Sequence, residues 1–162
     1  MRRLLQASLI TLALAATTAS ADDASPVGVW KKIDESNGKP VALIRITAYN
    51  GVLQGKIEKL FPEPDQDQAP KCTKCVGIAK GQPLLGLMVL WGLKPNGDEY
   101  AGGEILIPSS GKVYKSKIHL VDGGKKLSVR RYVGVPLLGS SQVWVRDDED
   151  ESSALPDATK TK

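Results

Sequence analysis

The chain has 162 residues, and its first 21 have the three parts of a secretory signal peptide. Arg2 and Arg3 supply the positive charge, residues 4–16 form an apolar segment, and an Ala-Ser-Ala motif indicates cleavage after Ala21. The apolar segment is too short to span a bilayer, so we expect no transmembrane anchor. The pattern predicts a periplasmic or secreted protein of one domain and excludes a cytosolic role.

The net charge of +4 is unevenly distributed along the chain. Residues 22–146 contain 18 basic and 12 acidic groups, whereas residues 147–162 contain six acidic and two basic groups. We therefore predict a basic domain over 22–146 and a disordered acidic tail over 147–162. A basic domain favours anionic partners or a solvated lysine-rich surface. Nucleic acid is not an expected partner outside the cytoplasm, and the sequence has no motif for binding it.

Short β-prone segments alternate with turn signals through the domain, and helical periodicity is nearly absent. The predicted strands are residues 27–33, 41–49, 52–60, 87–93, 99–107, 112–120, 126–133 and 142–146. Asn-Gly, Ser-Gly or Gly-Gly pairs separate many of them and tolerate the positive φ of tight hairpin turns. The predicted fold is all-β, a single antiparallel meander that closes into an eight-stranded barrel and so removes its edges. An open sandwich is the alternative.

Side-chain alternation supports two of these strands. Along residues 126–133 one face carries Leu127, Val129, Arg131 and Val133, and the other carries Ser128, Arg130 and Tyr132. Along residues 112–120 the face with Val113, Lys115, Lys117 and His119 is mainly polar and should contact solvent.

Residues 61–86 form a long connection that contains both cysteines, Cys72 and Cys75. A connection of this length is usually functional or partly disordered. In an oxidising compartment the pair favours a structural disulfide, and a redox-active pair and a metal site are alternatives. A zinc site needs three or four ligands, and His119 is the one histidine of the chain. We expect no metal and no cofactor.

Hydrolytic catalysis has little support in the sequence. A Ser-His-Asp or Cys-His site would have to use His119, which alternates with lysines on an exposed strand face. Adjacent carboxylates at 34–35 and 98–99 lie at turns. If either pair extended a strand, its two side chains would point to opposite sides of the sheet. We therefore predict that the protein is not an enzyme.

A short apolar motif occurs twice. Pro83-Leu84-Leu85-Gly86 precedes Trp91 with the same spacing that separates Pro136-Leu137-Leu138-Gly139 from Trp144. The two copies are interpreted as flaps that plug one end of the barrel. Alternatively, they form an apolar rim that contacts a ligand or a membrane.

Gly28-x-Trp30 on the first strand and Arg146 on the last are typical of lipocalins and related calycins. In those proteins a Trp closes the barrel floor and an Arg from the last strand packs across its ring. The resemblance predicts that Trp30 and Arg146 close this barrel.

A longer series of motifs resembles the bacterial domain of unknown function 2147 family over residues 27–146. The motifs are Gly28-x-Trp30, Gly38-Lys39-Pro40, Asn50-Gly51-x-Leu53-x-Gly55-Lys56-Ile57, Cys72-x-x-Cys75-x-Gly77, Leu90-Trp91-Gly92-Leu93, Gly102-Gly103-x-Ile105-Leu106, Gly111-Lys112-x-Tyr114, Val129-Arg130-x-Tyr132-x-Gly134 and Gln142-x-Trp144-x-Arg146. The resemblance implies small exported proteins with a lipocalin-like barrel and no established activity. Ile107 and Arg131 depart from the family pattern, in which Asp and Gly are usual at these positions.

We expect the barrel to bind a small lipophilic or anionic ligand. The residues predicted to contact it are Arg45, Trp91, Tyr114, Arg130, Tyr132 and Trp144. One alternative is a filled barrel whose basic surface makes peripheral contact with the cell envelope. The other is a thiol-disulfide protein that uses Cys72 and Cys75.

Overall fold

The alternation of apolar and polar residues produces eight strands that pair in chain order. The computed structural model describes residues 25–148. Its strands are β1 (Gly28–Ile33), β2 (Pro40–Tyr49), β3 (Val52–Leu60), β4 (Met88–Asn96), β5 (Glu99–Ile107), β6 (Lys112–Val121), β7 (Lys126–Tyr132) and β8 (Gly139–Arg146). Every neighbouring pair is antiparallel, and β8 also pairs with β1, which closes the barrel. The predicted all-β meander and its closure are confirmed.

Two strands are longer than their apolar pattern predicts. β4 continues to Asn96, because Asn96 pairs with Glu99 across the hairpin that joins β4 to β5. β8 begins at Gly139, because Gly139 pairs with Tyr132 although residues 139–141 carry no apolar side chain. Backbone pairing with a neighbouring strand determines the end of β4 and the start of β8. The hydrophobic pattern of one strand carries no information about this pairing.

The barrel domain includes the first residue of the predicted tail. Asp147 is buried, its N–H donates to the carbonyl of Val29 at 2.9 Å, and its carboxylate lies 3.3 Å from Nζ of Lys31. Asp147, the first residue of the predicted tail, is therefore packed against β1. The predicted signal peptide and residues 149–162 of the tail lie outside the described residues. Within residues 25–148 no helix is long and apolar enough to cross a membrane.

One end of the barrel is closed by the contact between Trp30 and Arg146. The Arg146 guanidinium lies 4.3 Å from the centre of the Trp30 ring, and Trp30 Nε1 donates to the carbonyl of Pro26 at 2.8 Å. Arg146 also donates to the carbonyls of Ser25, at 2.7 Å, and of Gly124, at 2.9 Å. This arginine thus joins the segment before β1, the turn before β7 and the end of β8.

The interior is filled at this closed end and hollow at the other. Fully buried side chains occupy the closed half: Trp30, Ile46, Leu53, Leu93, Ile118 and Leu127. The opposite half contains a cavity of about 420 Å³ between the same strands. The connections at the closed end are residues 50–51, 97–98 and 122–125, and those at the open end are 34–39, 61–87, 108–111 and 133–138.

The long connection is folded against the outside of the barrel. Cys72 and Cys75 form a disulfide, and both are almost fully buried, with 1% and 2% of their surface exposed. They pack against Leu106 and Trp91 in a small second core. A Cβ at Gly111 would lie 2.9 Å from the backbone nitrogen of Cys75, so the absence of a side chain there permits the close approach. The disulfide therefore fixes the connection to β5 and to the turn that follows it.

Gly28→Ala should destabilise the barrel through the closing arginine. Gly28 has φ of +138°, and an added Cβ would lie 2.9 Å from Nη1 of Arg146. We expect a loss of about 1 to 3 kcal/mol in the free energy of unfolding, measured by urea denaturation. Gly38→Ala is the matched control, because Gly38 also has positive φ but an added Cβ would meet nothing within 4 Å. Equal losses in the two variants would show that Arg146 is not constrained at this position.

Replacing both cysteines with Ala should weaken the domain without unfolding it. Closing so short a loop is worth about 2 kcal/mol in the chain-entropy model, and the barrel's own pairing does not depend on it. We expect the circular dichroism of the variant to keep its β-sheet signature and Tm to fall by several degrees. Loss of the folded barrel would contradict this, since it would make the disulfide a requirement for closure.

Candidate functional site: the open-end cavity

The cavity lies inside the open half of the barrel and has an apolar floor. Its buried apolar lining residues come from five strands: Ala42, Ile44, Ile57, Val89, Ile105 and Trp144. Gln66 and Leu84 of the long connection and Pro108 and Ser109 of the turn after β5 line its entrance. Its volume of about 420 Å³ is at the small end of the range for pockets that hold small molecules.

Lys32 places a positive charge in this cavity. It follows Trp30 on the inner face of β1, is partly buried and lines the cavity beside Gln142. No carboxylate of the described residues lies within ion-pair distance of its ammonium group. Burial lowers the pKa of Lys32, the Arg131 charge lowers it further, and Asp34 opposes both to a smaller extent. The ammonium group is therefore held in surroundings that do not compensate its charge.

Arg131 is a second cation near the open end of the barrel, next to the cavity but not among the residues that line it. It lies on the β7 face that also carries the buried Leu127 and Val129, so it is directed toward the interior. Its Nε donates to Ser140 Oγ at 2.9 Å, and its guanidinium is 5.8 Å from the centre of the Tyr114 ring. No ion pair between Arg131 and an acidic residue is present in the described part of the chain.

Trp144 adds an unsatisfied donor to the wall of the cavity. Its side chain is 2% exposed, and its Nε1 is the one buried side-chain nitrogen or oxygen of residues 25–148 that has no hydrogen-bond partner. Buried N–H groups normally have an acceptor, so an orphaned one is an exception that requires an explanation. In the pairing of β1 with β8, Trp144 is directly opposite Lys32.

The structure divides the six predicted ligand contacts by strand face. Tyr114 and Trp144 lie inside, where Tyr114 packs against the main core. Arg45 lies outside, because it alternates with the buried Ile44 and Ile46, and it forms an ion pair with Glu58 at 2.6 Å. Arg45 therefore does not reach the cavity.

Arg130, Tyr132 and Trp91 also lie outside the barrel. The Arg130 guanidinium donates to the carbonyl of Pro136 at 2.6 Å and to Ser141 Oγ at 3.0 Å, so it orders the loop between β7 and β8. Tyr132 and Trp91 line an external cleft beside Glu104, which accepts a hydrogen bond from Trp91 Nε1 at 2.9 Å. None of the three lines the cavity.

The polar residues of the cavity were not among the predicted contacts. Lys32 and Gln142 share strand faces with Trp30 and Trp144, so alternation could have placed them inside. Of the two departures from the family pattern, Ile107 lines the cavity, and Arg131 lies on the inner face of β7 beside Tyr114. From the sequence alone, a lysine that faces the barrel interior is difficult to distinguish from a lysine on the solvated surface.

The two apolar motifs have different environments. Leu84 is partly buried, packs against the core and lines the cavity entrance. Leu137 and Leu138 are 86% and 66% exposed at the open end. The first motif therefore acts as part of a plug, and the second forms an exposed apolar rim.

Comparisons with known proteins agree with this architecture. The chain is similar to a solved structure described as "Protein HP1028 from the human pathogen Helicobacter pylori belongs to the lipocalin family", with a TM-score of 0.64 and 18% identity over 78% of this chain and 86% of that one. At this identity the similarity establishes the lipocalin-like fold alone. No curated protein matches the chain. The family model described as "Uncharacterized protein conserved in bacteria (DUF2147)" matches residues 28–146, and the chain belongs to this family.

Proposed function

We propose that this is an exported, non-enzymatic protein that binds a small apolar or amphipathic molecule in the open half of its barrel. The observation that carries the proposal is a cavity of about 420 Å³ with an apolar floor, enclosed by strands and open at one end. An eight-stranded barrel is wide enough either to be filled by side chains or to hold one small ligand. Here side chains fill the closed half only.

The cysteine pair argues against thiol-disulfide exchange as the main activity. Exchange requires a thiolate to attack a disulfide sulfur along an accessible path. Cys72 and Cys75 are bonded to each other and buried under Leu106 and Trp91. Their burial on the outside of the barrel, behind Leu106 and next to the carbonyl of Pro108, supports a structural role.

Peripheral contact with the cell envelope is a second candidate function. Exposed apolar side chains at the open end, including Leu85, Leu137 and Leu138, are the supporting observation. The excess of basic residues in the domain would favour an anionic surface. Contact of this kind is compatible with ligand binding, since it would bring the cavity entrance to the membrane.

Native mass spectrometry of the protein purified from its own host should detect a bound small molecule. We expect one ligand per chain, which is released on denaturation and can be identified by its mass. Exposure of the ligand-free protein to fatty acids and lipids should regenerate the complex. A mass that stays at the apo value after that exposure would contradict a binding barrel and favour the envelope-contact function.

Ala42→Phe should prevent ligand binding by filling the cavity. Ala42 is buried in the cavity wall opposite Lys32 on the paired strand, and a phenyl ring there would occupy the space of the ligand. We expect the affinity for the ligand identified by mass spectrometry to fall by more than about tenfold, equivalent to about 1.4 kcal/mol, in isothermal titration calorimetry. Ala48→Phe on the exposed end of the same strand is the control and should bind as the unmodified protein does. Unchanged binding by the Ala42 variant would show that the ligand lies elsewhere.

A further inference from the structure

We propose that the ligand is an anionic amphiphile, whose oxygen-acid headgroup is bound at the cavity entrance by Lys32, Arg131 and Trp144 and whose apolar tail extends toward the closed end. This inference rests on the proposed function and specifies its ligand class. The chemistry is that of a fatty-acid carboxylate or of another singly charged headgroup with the same acceptor oxygens.

The first argument is the uncompensated charge at the entrance. Lys32 and Arg131 both lie on the inner faces of their strands near the open end. Burial lowers the pKa of Lys32 most, and the nearby Arg131 charge lowers it further. Asp34 is the acidic residue that acts on Lys32, and it is exposed, with its Oδ1 accepting hydrogen bonds from the N–H and the hydroxyl of Ser36. Two partly buried cations without a paired carboxylate favour an external anion, because buried charges are normally paired.

The second argument is the donor on the facing strand. Trp144 is opposite Lys32 in the pairing of β1 with β8, and side chains of directly paired residues on one face are near neighbours. The Trp144 Nε1 has no acceptor, whereas Lys32 and Arg131 carry donors only. None of these three side chains carries a hydrogen-bond acceptor. Together they are complementary to a headgroup that only accepts hydrogen bonds.

The third argument is the arrangement of polar and apolar surface. Lys32 and Arg131 are near the ends of β1 and β7 at the opening. Ile44, Ile57 and Ile105 line the deeper part of the cavity. An amphiphile with one charged end and one apolar tail matches this polarity along the barrel axis. A purely apolar ligand would leave both cations without a partner, and a cationic one would be repelled.

The ligand class can be tested with three probes of one chain length and different charge: decanoate, decanol and decyltrimethylammonium. Binding of each to the purified full-length mature protein is measured by titration calorimetry. We expect decanoate to bind at least about tenfold more tightly than decanol, because hydrogen bonds to charged groups contribute more than neutral ones. The decyltrimethylammonium ion should bind more weakly than decanol. On binding decanoate, the indole Nε1–H resonance of Trp144, assigned with Trp144→Phe, should shift.

Lys32→Met removes the charge and keeps the apolar stem. We expect this variant to lose the preference for decanoate over decanol, and Arg131→Met to reduce it. Lys56→Met, on the outer face of β3, is the matched control and should preserve the preference. Because Lys32 is desolvated beside another cation, Lys32→Met should also raise Tm of the ligand-free protein by a few degrees, which shows that the variant is folded.

The outcomes separate the two proposals. Equal affinity for decanoate and decanol, unchanged by Lys32→Met, would overturn the anionic headgroup and leave a binding barrel in place. Failure of all three probes to bind the folded protein would overturn the proposed function itself, and with it the ligand class. A preference for decanoate that Lys56→Met abolishes but Lys32→Met preserves would locate the anion on the outer surface and contradict the site.

Discussion

The barrel depends on closure between its first and last strands, and the stack of Arg146 on Trp30 is where this closure is fixed. β1 is only six residues long, and three of them pair with β8. The guanidinium adds hydrogen bonds to two further segments and covers one of the two indole rings of the core. A cation stacked on an indole combines electrostatic attraction with burial of apolar area, so one side chain both seals the end and joins the strands.

Closing one end with large side chains determines what remains at the other. The Trp30 ring and its neighbours occupy the lower half, and Gly55 lets Leu90 and Ile44 approach closely where a Cβ would be crowded. Toward the opening the inward residues become smaller or polar, with Ala42 on β2 and Gln142 on β8. The cavity is thus a consequence of where bulky residues lie along each strand, and the strand number alone does not require it.

Much of the fold could be predicted from the sequence because turn chemistry and alternation are local. The Asn-Gly turn at 50–51 and the alternation of Ile44 and Ile46 with Arg45 specify hairpins without reference to distant residues. Four of the six residues predicted to contact a ligand lie outside the barrel, because chemical character alone does not indicate which strand face a residue occupies. Arg130 and Tyr132 lie on the β7 face opposite Leu127 and Val129, so alternation alone directs them outward.

The residues that line the entrance could not be inferred from charge counts. A basic domain contains many solvated lysines, and only the barrel brings Lys32 of the first strand close to Arg131 of the seventh. Two like charges placed near each other oppose folding, and a sequence selected for stability alone would place a neutral side chain at one of these positions. Since the same entrance contains an indole N–H without an acceptor, an anion is the single type of partner that satisfies both the charges and the donor. The proposed ligand class and the uncompensated charge at the entrance therefore rest on the same residues.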